Sequence, residues 1–203
     1  MKAYVGQTCS RKLIKRLTAL GIGECTNRGE MPPRRTPFFY DNGAYSDWTA
    51  GREWDEAKWL SELDAVARMA PDFVVAPDIV AGGLDSLERS RAYLDRLDGM
   101  KPYLVVQDGM RLENVQAAIG GFSGVFVGGT SDWKLETGSA WVDLAHANQV
   151  PCHIGRVGTG RKVRWAIDIG ADSIDSSLPL WSEGNLRVFL SALRCAGQMR
   201  FWT

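Results

Sequence analysis

Six short segments of the 203-residue chain end in residues that can hold, attack or protonate a ligand: Asp41 in YDNGAY, Asp78 in APDIVAGG, Gln107 with Asp108 in VVQDG, Gly128 with Gly129 in FVGGT, HIGRVGTGRK at 153–162, and Asp175 in DSIDSS. Carboxylates at such ends support nucleophilic attack on an electrophilic carbon and general acid–base transfer. Crowded together they raise one another's pKa, which poises some of them for proton exchange near neutral pH. Taken singly, an Asp after a strand is ordinarily an Asx turn or a helix N-cap. Gln107 reads equally as a turn residue, and Gly128–Gly129 as a positive-φ turn. It is their repetition at successive strand ends that points to a site.

HIGRVGTGRK has a second kind of chemistry. Gly155, Gly158 and Gly160 free backbone N–H groups ahead of a helix, with Arg156, Arg161 and Lys162 beside them. That composition suits a phosphate, or else a solvated Gly-rich loop; it is neither a P-loop nor a dinucleotide fingerprint. Of the eight tryptophans, Trp59 and Trp165 fall at helical core spacing. Trp48, Trp133 and Trp181 follow strands and are candidates to stack on a base, a contact of about 1–3 kcal/mol.

These residues need a scaffold that brings strand ends together. Short apolar runs at 3–6, 22–26, 38–41, 73–78, 103–107, 124–128, 151–155 and 172–175 predict eight strands. Helix-period segments are predicted at 11–20, 54–69, 85–97, 111–119, 139–148, 161–169 and 185–196. This α/β alternation predicts a compact (β/α)8 TIM-type barrel, a single domain over 1–203, with an open doubly wound sheet as the alternative. Most such barrels need about 250 residues, so the connections must be short. In a barrel the strand ends converge at the C-terminal face, where ligands bind.

A hydrophobic fraction of 45% and a charged fraction of 24% suit a folded protein rather than a disordered one. Lys+Arg and Asp+Glu balance at 24 each, so any nucleic-acid contact requires basic residues gathered on one face. Cysteines at 9, 25, 152 and 195, with histidines only at 146 and 153, show no zinc spacing and suit free thiols in a reducing cytoplasm. No signal-peptide core or membrane-length apolar run is visible. The expectation is a soluble cytoplasmic protein with no metal and no cofactor.

Taken in order, the strand ends resemble the tRNA-guanine transglycosylase (queuine tRNA-ribosyltransferase) family, most closely its compact DNA-modifying 7-deazaguanine relatives of phages. HIGRVGTGRKVRWAIDIGADSIDSS is similar to the family's Gly-rich turn, helix and G-x-D-x-x-D strand end. YDNGAY resembles its D-S-G-G-F motif, and the ordered set covers residues 38–177. The resemblance implies Asp175 as nucleophile and Asp41 as general acid/base. It further implies Asp78, Gln107, Gly128 and Gly129 as contacts to the base. Asn42, Ala44 and Tyr45 depart from the motif, and the C-terminal zinc cluster of the tRNA enzymes is absent, which favours the DNA branch.

The implied reaction replaces guanine in DNA with a 7-deazaguanine such as preQ0 through a covalent Asp–sugar intermediate. Its partners would be nucleic acid and the free base. Arg28, Arg34, Arg35, Arg156, Arg161 and Lys162 would hold phosphates. A tRNA-guanine transglycosylase, a barrel enzyme for a phosphorylated sugar, and a non-catalytic nucleic-acid-binding module stand as alternatives.

Overall fold

The computed structural model describes the backbone of residues 1–199 and the side chains of 1–194. Eight parallel strands pair in chain order and close into a barrel. They are β1 (Lys2–Gly6), β2 (Gly23–Asn27), β3 (Phe38–Asp41), β4 (Val74–Val75), β5 (Pro102–Val106), β6 (Gly124–Val127), β7 (Cys152–Ile154) and β8 (Ser173–Ser176). Closure runs through β1 and β8, where Tyr4 stands opposite Asp175. The helices are α1 (Arg11–Ala19), α2 (Ala44–Thr49), α3 (Glu56–Arg68), α4 (Leu84–Ala92), α5 (Leu112–Ala118), α6 (Ser131–Ala147), α7 (Gly160–Asp168) and α8 (Glu183–Met199). The open doubly wound sheet is thereby excluded. Among the described residues no helix is long and apolar enough to cross a membrane. Cys195 lies outside the described side chains, while Cys9, Cys25 and Cys152 are free thiols.

Side-chain alternation divides the strands between two cores. Outward residues such as Leu104, Val106, Val125, Val127, Ile154 and Ile174 pack beneath the helices. Inward residues Tyr4, Phe39, Phe73, Val75, Tyr103 and Val105, with Cys25 and Phe126, fill the interior. Because both faces are covered, β5 (PYLVV) is buried along its whole length. The interior aromatics form a stack, with ring centroids of Phe39 and Phe73 4.6 Å apart and those of Phe73 and Tyr103 3.9 Å apart. Caps set several helix starts: Asp55 accepts from the Lys58 N–H at 2.9 Å and Thr159 from the Lys162 N–H at 3.3 Å.

Three elements differ from expectation. β4 is two residues rather than six, because Pro77 and the turn that carries Asp78 end its ladder early. The six-residue α2 has no counterpart among the expected helices. α6 begins at Ser131, eight residues ahead of 139, directly after the β6 turn.

One connection has no helix, and this decides two of the expected phosphate ligands. Between β2 and β3 the chain runs as a loop. Arg35 lies there, its side chain 1% exposed, paired at 2.8 Å with the fully buried Glu24. Its remaining donors go to the carbonyls of Val5, Gly6 and Gly23. Arg28, 9% exposed, is held by Asp47 and by Asp55 at 3.4 Å. Neither guanidinium faces solvent, so Arg28 and Arg35 brace the scaffold and are not placed to meet a phosphate.

Candidate active site at the barrel mouth

Inward alternation in β8 turns Ser173 and Asp175 toward the interior, beside His153 of β7. His153 Nδ1 lies 2.8 Å from Ser173 Oγ, and Nε2 lies 2.9 Å from Asp175 Oδ1. Complete burial holds the imidazole below its ordinary pKa, against the pull of Asp175, so the ring is neutral and carries one proton. With a carboxylate as acceptor that proton belongs on Nε2, and the Ser173 hydroxyl donates to Nδ1. The ring also stacks on Phe126 at 4.7 Å. His153 therefore fixes the orientation of Asp175, whose side chain remains 13% exposed to the mouth. Gly155 leaves the room this needs: a Cβ there would lie 2.9 Å from the Phe126 ring and 3.4 Å from Asp175 Oδ1.

Asp41 closes β3, and its Oδ1 accepts the Gly43 N–H at 2.8 Å, the Asx turn that its position alone suggests. It is more than a turn residue. Burial pushes its pKa up to about 7; the Gly43 N–H opposes this, while Asp175 and Asp78 push in the same direction. Cys25 on the strand between feels both Asp175 and Asp41, and its thiol is driven well up by burial and then by those charges. Asp78 follows β4 and takes a 2.9 Å hydrogen bond from Asn42 Nδ2. Burial raises its pKa to about 6, with Asn42 and then Arg89 pulling the other way. Asp41, Asp78 and Asp175 thus share one mouth.

Two further residues belong to it. Asn42 also donates to the Ala76 carbonyl at 2.7 Å, and so ties the Asp41 turn to the Asp78 loop. Lys134, in the first turn of α6, points inward with 4% of its surface exposed. Its Nζ reaches the Gly155 carbonyl at 2.5 Å. Burial, and then Arg156, lower its pKa to about 7, while Asp175 and Asp108 raise it.

The remaining expected residues divide. Gln107 does not present its amide to the mouth: Nε2 donates to the Ile79 carbonyl at 2.8 Å and to Ser86 Oγ at 2.7 Å, and Oε1 accepts the Ala81 N–H at 2.7 Å. It pins the loop that carries Asp78. Gly128 extends the β5–β6 ladder through its N–H to Val106 O at 2.8 Å. Gly129 adopts φ +68°, where a Cβ would strike Asp108 and Trp133. Asp108 caps the start of α6 through two 2.7 Å bonds to Thr130. Arg34 and Arg161 are exposed, and Lys162 Nζ bonds Ser131 Oγ at 2.8 Å, joining the first turns of α7 and α6.

Arg156 makes the most unusual contact. Its backbone adopts φ +59°, unfavourable for a residue with a Cβ. Its guanidinium lies 4.4 Å from the centroid of the Tyr45 ring and also donates to the Gly129 carbonyl. Tyr45 belongs to α2, after β3, and Arg156 follows β7; those strands are four apart in the closed order and face one another. The pair spans the mouth above the carboxylates. Trp48 (55% exposed) and Trp181 (75% exposed) stand at the rim, whereas Trp133 is half-buried and packs against the core on Trp141 at 5.8 Å. A separate surface cleft of about 380 Å³ is lined by Glu53, Trp54, Glu56, Arg89 and Tyr93, where the Tyr93 hydroxyl donates to Glu56 at 2.5 Å.

Fold and geometry together define the class: a closed (β/α)8 barrel whose C-terminal mouth gathers three carboxylates, a buried imidazole and a buried lysine. No protein-family model matches the sequence, and no curated protein matches it.

Proposed function

We propose that the protein is a base-exchange pentosyltransferase that replaces guanine in DNA with a 7-deazaguanine such as preQ0. The observation that carries this reading is the pairing of roles in one mouth. Asp175 is oriented by His153 and open to a ligand, while Asp41, also partly exposed, has a pKa raised to about 7, in some measure by Asp175 itself. One carboxylate is suited to attack and the other to gaining and losing a proton.

In the proposed sequence an Asp175 oxygen attacks C1′ of the nucleotide as the C1′–N9 bond breaks, and the electron pair leaves with the purine. Asp41, or a water it holds, then delivers the proton that makes guanine neutral. The incoming base loses its N9 proton to Asp41, its N9 attacks C1′, and the Asp175 ester is released. Two displacements replace one difficult exchange. Asp78 and the backbone at Gly128–Gly129 are the base contacts, with Gln107 supporting the Asp78 loop. Arg34, Arg156, Arg161 and Lys162 remain as phosphate ligands. A duplex hides the bond, so the target nucleotide is flipped out. Free thiols at Cys9, Cys25 and Cys152 suit a reducing cytoplasm as the place of action.

A second reading has its own support. Arg156 and Lys162 are close enough to lower the Lys134 pKa, and a cluster of these three cations also suits the phosphate of a small sugar. Incubation with radiolabelled guanine or preQ0 and either duplex DNA or tRNA separates the readings. Incorporation into DNA supports base exchange there, and incorporation into tRNA alone moves the reaction to the tRNA branch. No incorporation into either, with turnover of a sugar phosphate, overturns the proposal.

A further inference from the structure

Lys134 is a charge that the proposed exchange leaves idle. It and Arg35 are the buried lysine and arginine side chains among the described residues, and Arg35 is matched by Glu24. Lys134 has no carboxylate within ion-pair distance among the described residues; its contact is the neutral Gly155 carbonyl. That carbonyl belongs to the residue against which Asp175 lies. A buried ammonium has three donors and is costly to keep with one neutral acceptor, so its placement calls for a transient partner.

The chemistry provides one. When the C1′–N9 bond breaks, the electron pair departs with the purine into a mouth that already holds Asp41, Asp78 and Asp175. Negative charge on the leaving base would be repelled there until a proton arrives. A cation facing the same space offsets that charge at the moment it develops, and costs little reorganisation because it is already in position.

We propose that Lys134 is a catalytic residue that stabilises the departing purine as an anion, and the entering one at the corresponding stage; this rests on the base-exchange reading. The charged and titratable groups around it are Asp175 on β8, Arg156 after β7, His153 on β7, Lys162 on α7 and Asp108 after β5. Arg156 and Lys162 disfavour its protonation, while Asp175 and Asp108 favour it. The base-stabilising form is the ammonium, so its share of the rate is present at low pH and lost as pH rises through about 7.

The test is label exchange across that range for wild type, Lys134→Gln and Lys134→Arg, with thermal unfolding as the check on folding. Lys134→Gln can still donate to the Gly155 carbonyl but has no charge. It is expected to lose about a hundredfold in kcat with the KM for guanine little changed. Lys134→Arg is expected to recover most of that loss and to move the upper limb of the kcat profile to higher pH and make it shallower. A guanidinium keeps its proton, which leaves Asp41 as the group that titrates there. A purely structural lysine predicts no movement of that limb. Undiminished kcat in a folded Lys134→Gln, or an unmoved limb in Lys134→Arg, overturns the inference alone. Should Lys134→Gln fail to fold, the limb in Lys134→Arg decides. If wild type takes no labelled guanine into DNA or tRNA, the base-exchange reading falls and takes this one with it.

Discussion

The floor and the mouth of the barrel are made by the same strands and obey opposite rules. In β3, Phe39 lies in the aromatic stack and Asp41, two residues on, lies in the acid cluster. In β7 and β8 the change comes earlier, with His153 touching Phe126 on one side and Asp175 on the other. Below that level the inward side chains pack ring on ring. Above it, desolvation raises the pKa of Asp41 and Asp78 and lowers that of Lys134. The apolar floor helps to shift these groups, because it excludes water that would otherwise hold them at their ordinary values.

The contrast can be broken from either side. Asp175→Asn is expected to reduce base exchange by at least about 10⁴-fold and to abolish the covalent adduct, with the unfolding temperature nearly unchanged; normal turnover would remove Asp175 as nucleophile. Phe39→Ala acts in the reverse sense, costing about 3–5 kcal/mol and lowering the unfolding temperature by on the order of 10 °C. Calorimetry that found it neutral would show that the stack is not the floor's support.

A finer division comes from pH. Asp41 has a folded pKa raised above its unfolded value, so the stability it contributes is complete in acid and lost as pH rises through about 7. Asp41→Asn is therefore expected to raise the unfolding temperature above that pH, by about 2–4 °C for each kcal/mol recovered. The gain is expected to shrink as pH falls below 7 and to vanish only below the ordinary carboxylate value of 3.8; an equal gain at both ends would mean that Asp41 does not titrate there. Smallest of all, Trp181→Ala at the rim is expected to change stability by no more than about 0.5 kcal/mol, as measured by denaturant unfolding.

The floor is largely legible in the sequence and the mouth only in outline. FFYD and YLVVQ show their strands through apolar runs too short for helices, and Asp41, Asp78 and Asp175 stand out because they end such runs. Lys134 is hidden because SDWKLETG is polar enough to look like a loop, and a lysine is ordinarily a surface residue. His153 sits in a three-residue strand, too short for its sequence to reveal which side chains face inward. The burial of Arg35 depends on a helix missing between β2 and β3, a tertiary fact with no local signal. Gln107 has the position of a ligand contact, and its capture by the Ile79–Ser86 loop follows only from how that loop folds back.

The stack of Arg156 on Tyr45 has a consequence for traffic. Under the base-exchange reading, a nucleotide entering between β3 and β7 would meet a pair of side chains rooted on opposing strands. Removing the guanidinium would part that pair and would also relieve Lys134 of the neighbouring charge that most lowers its pKa.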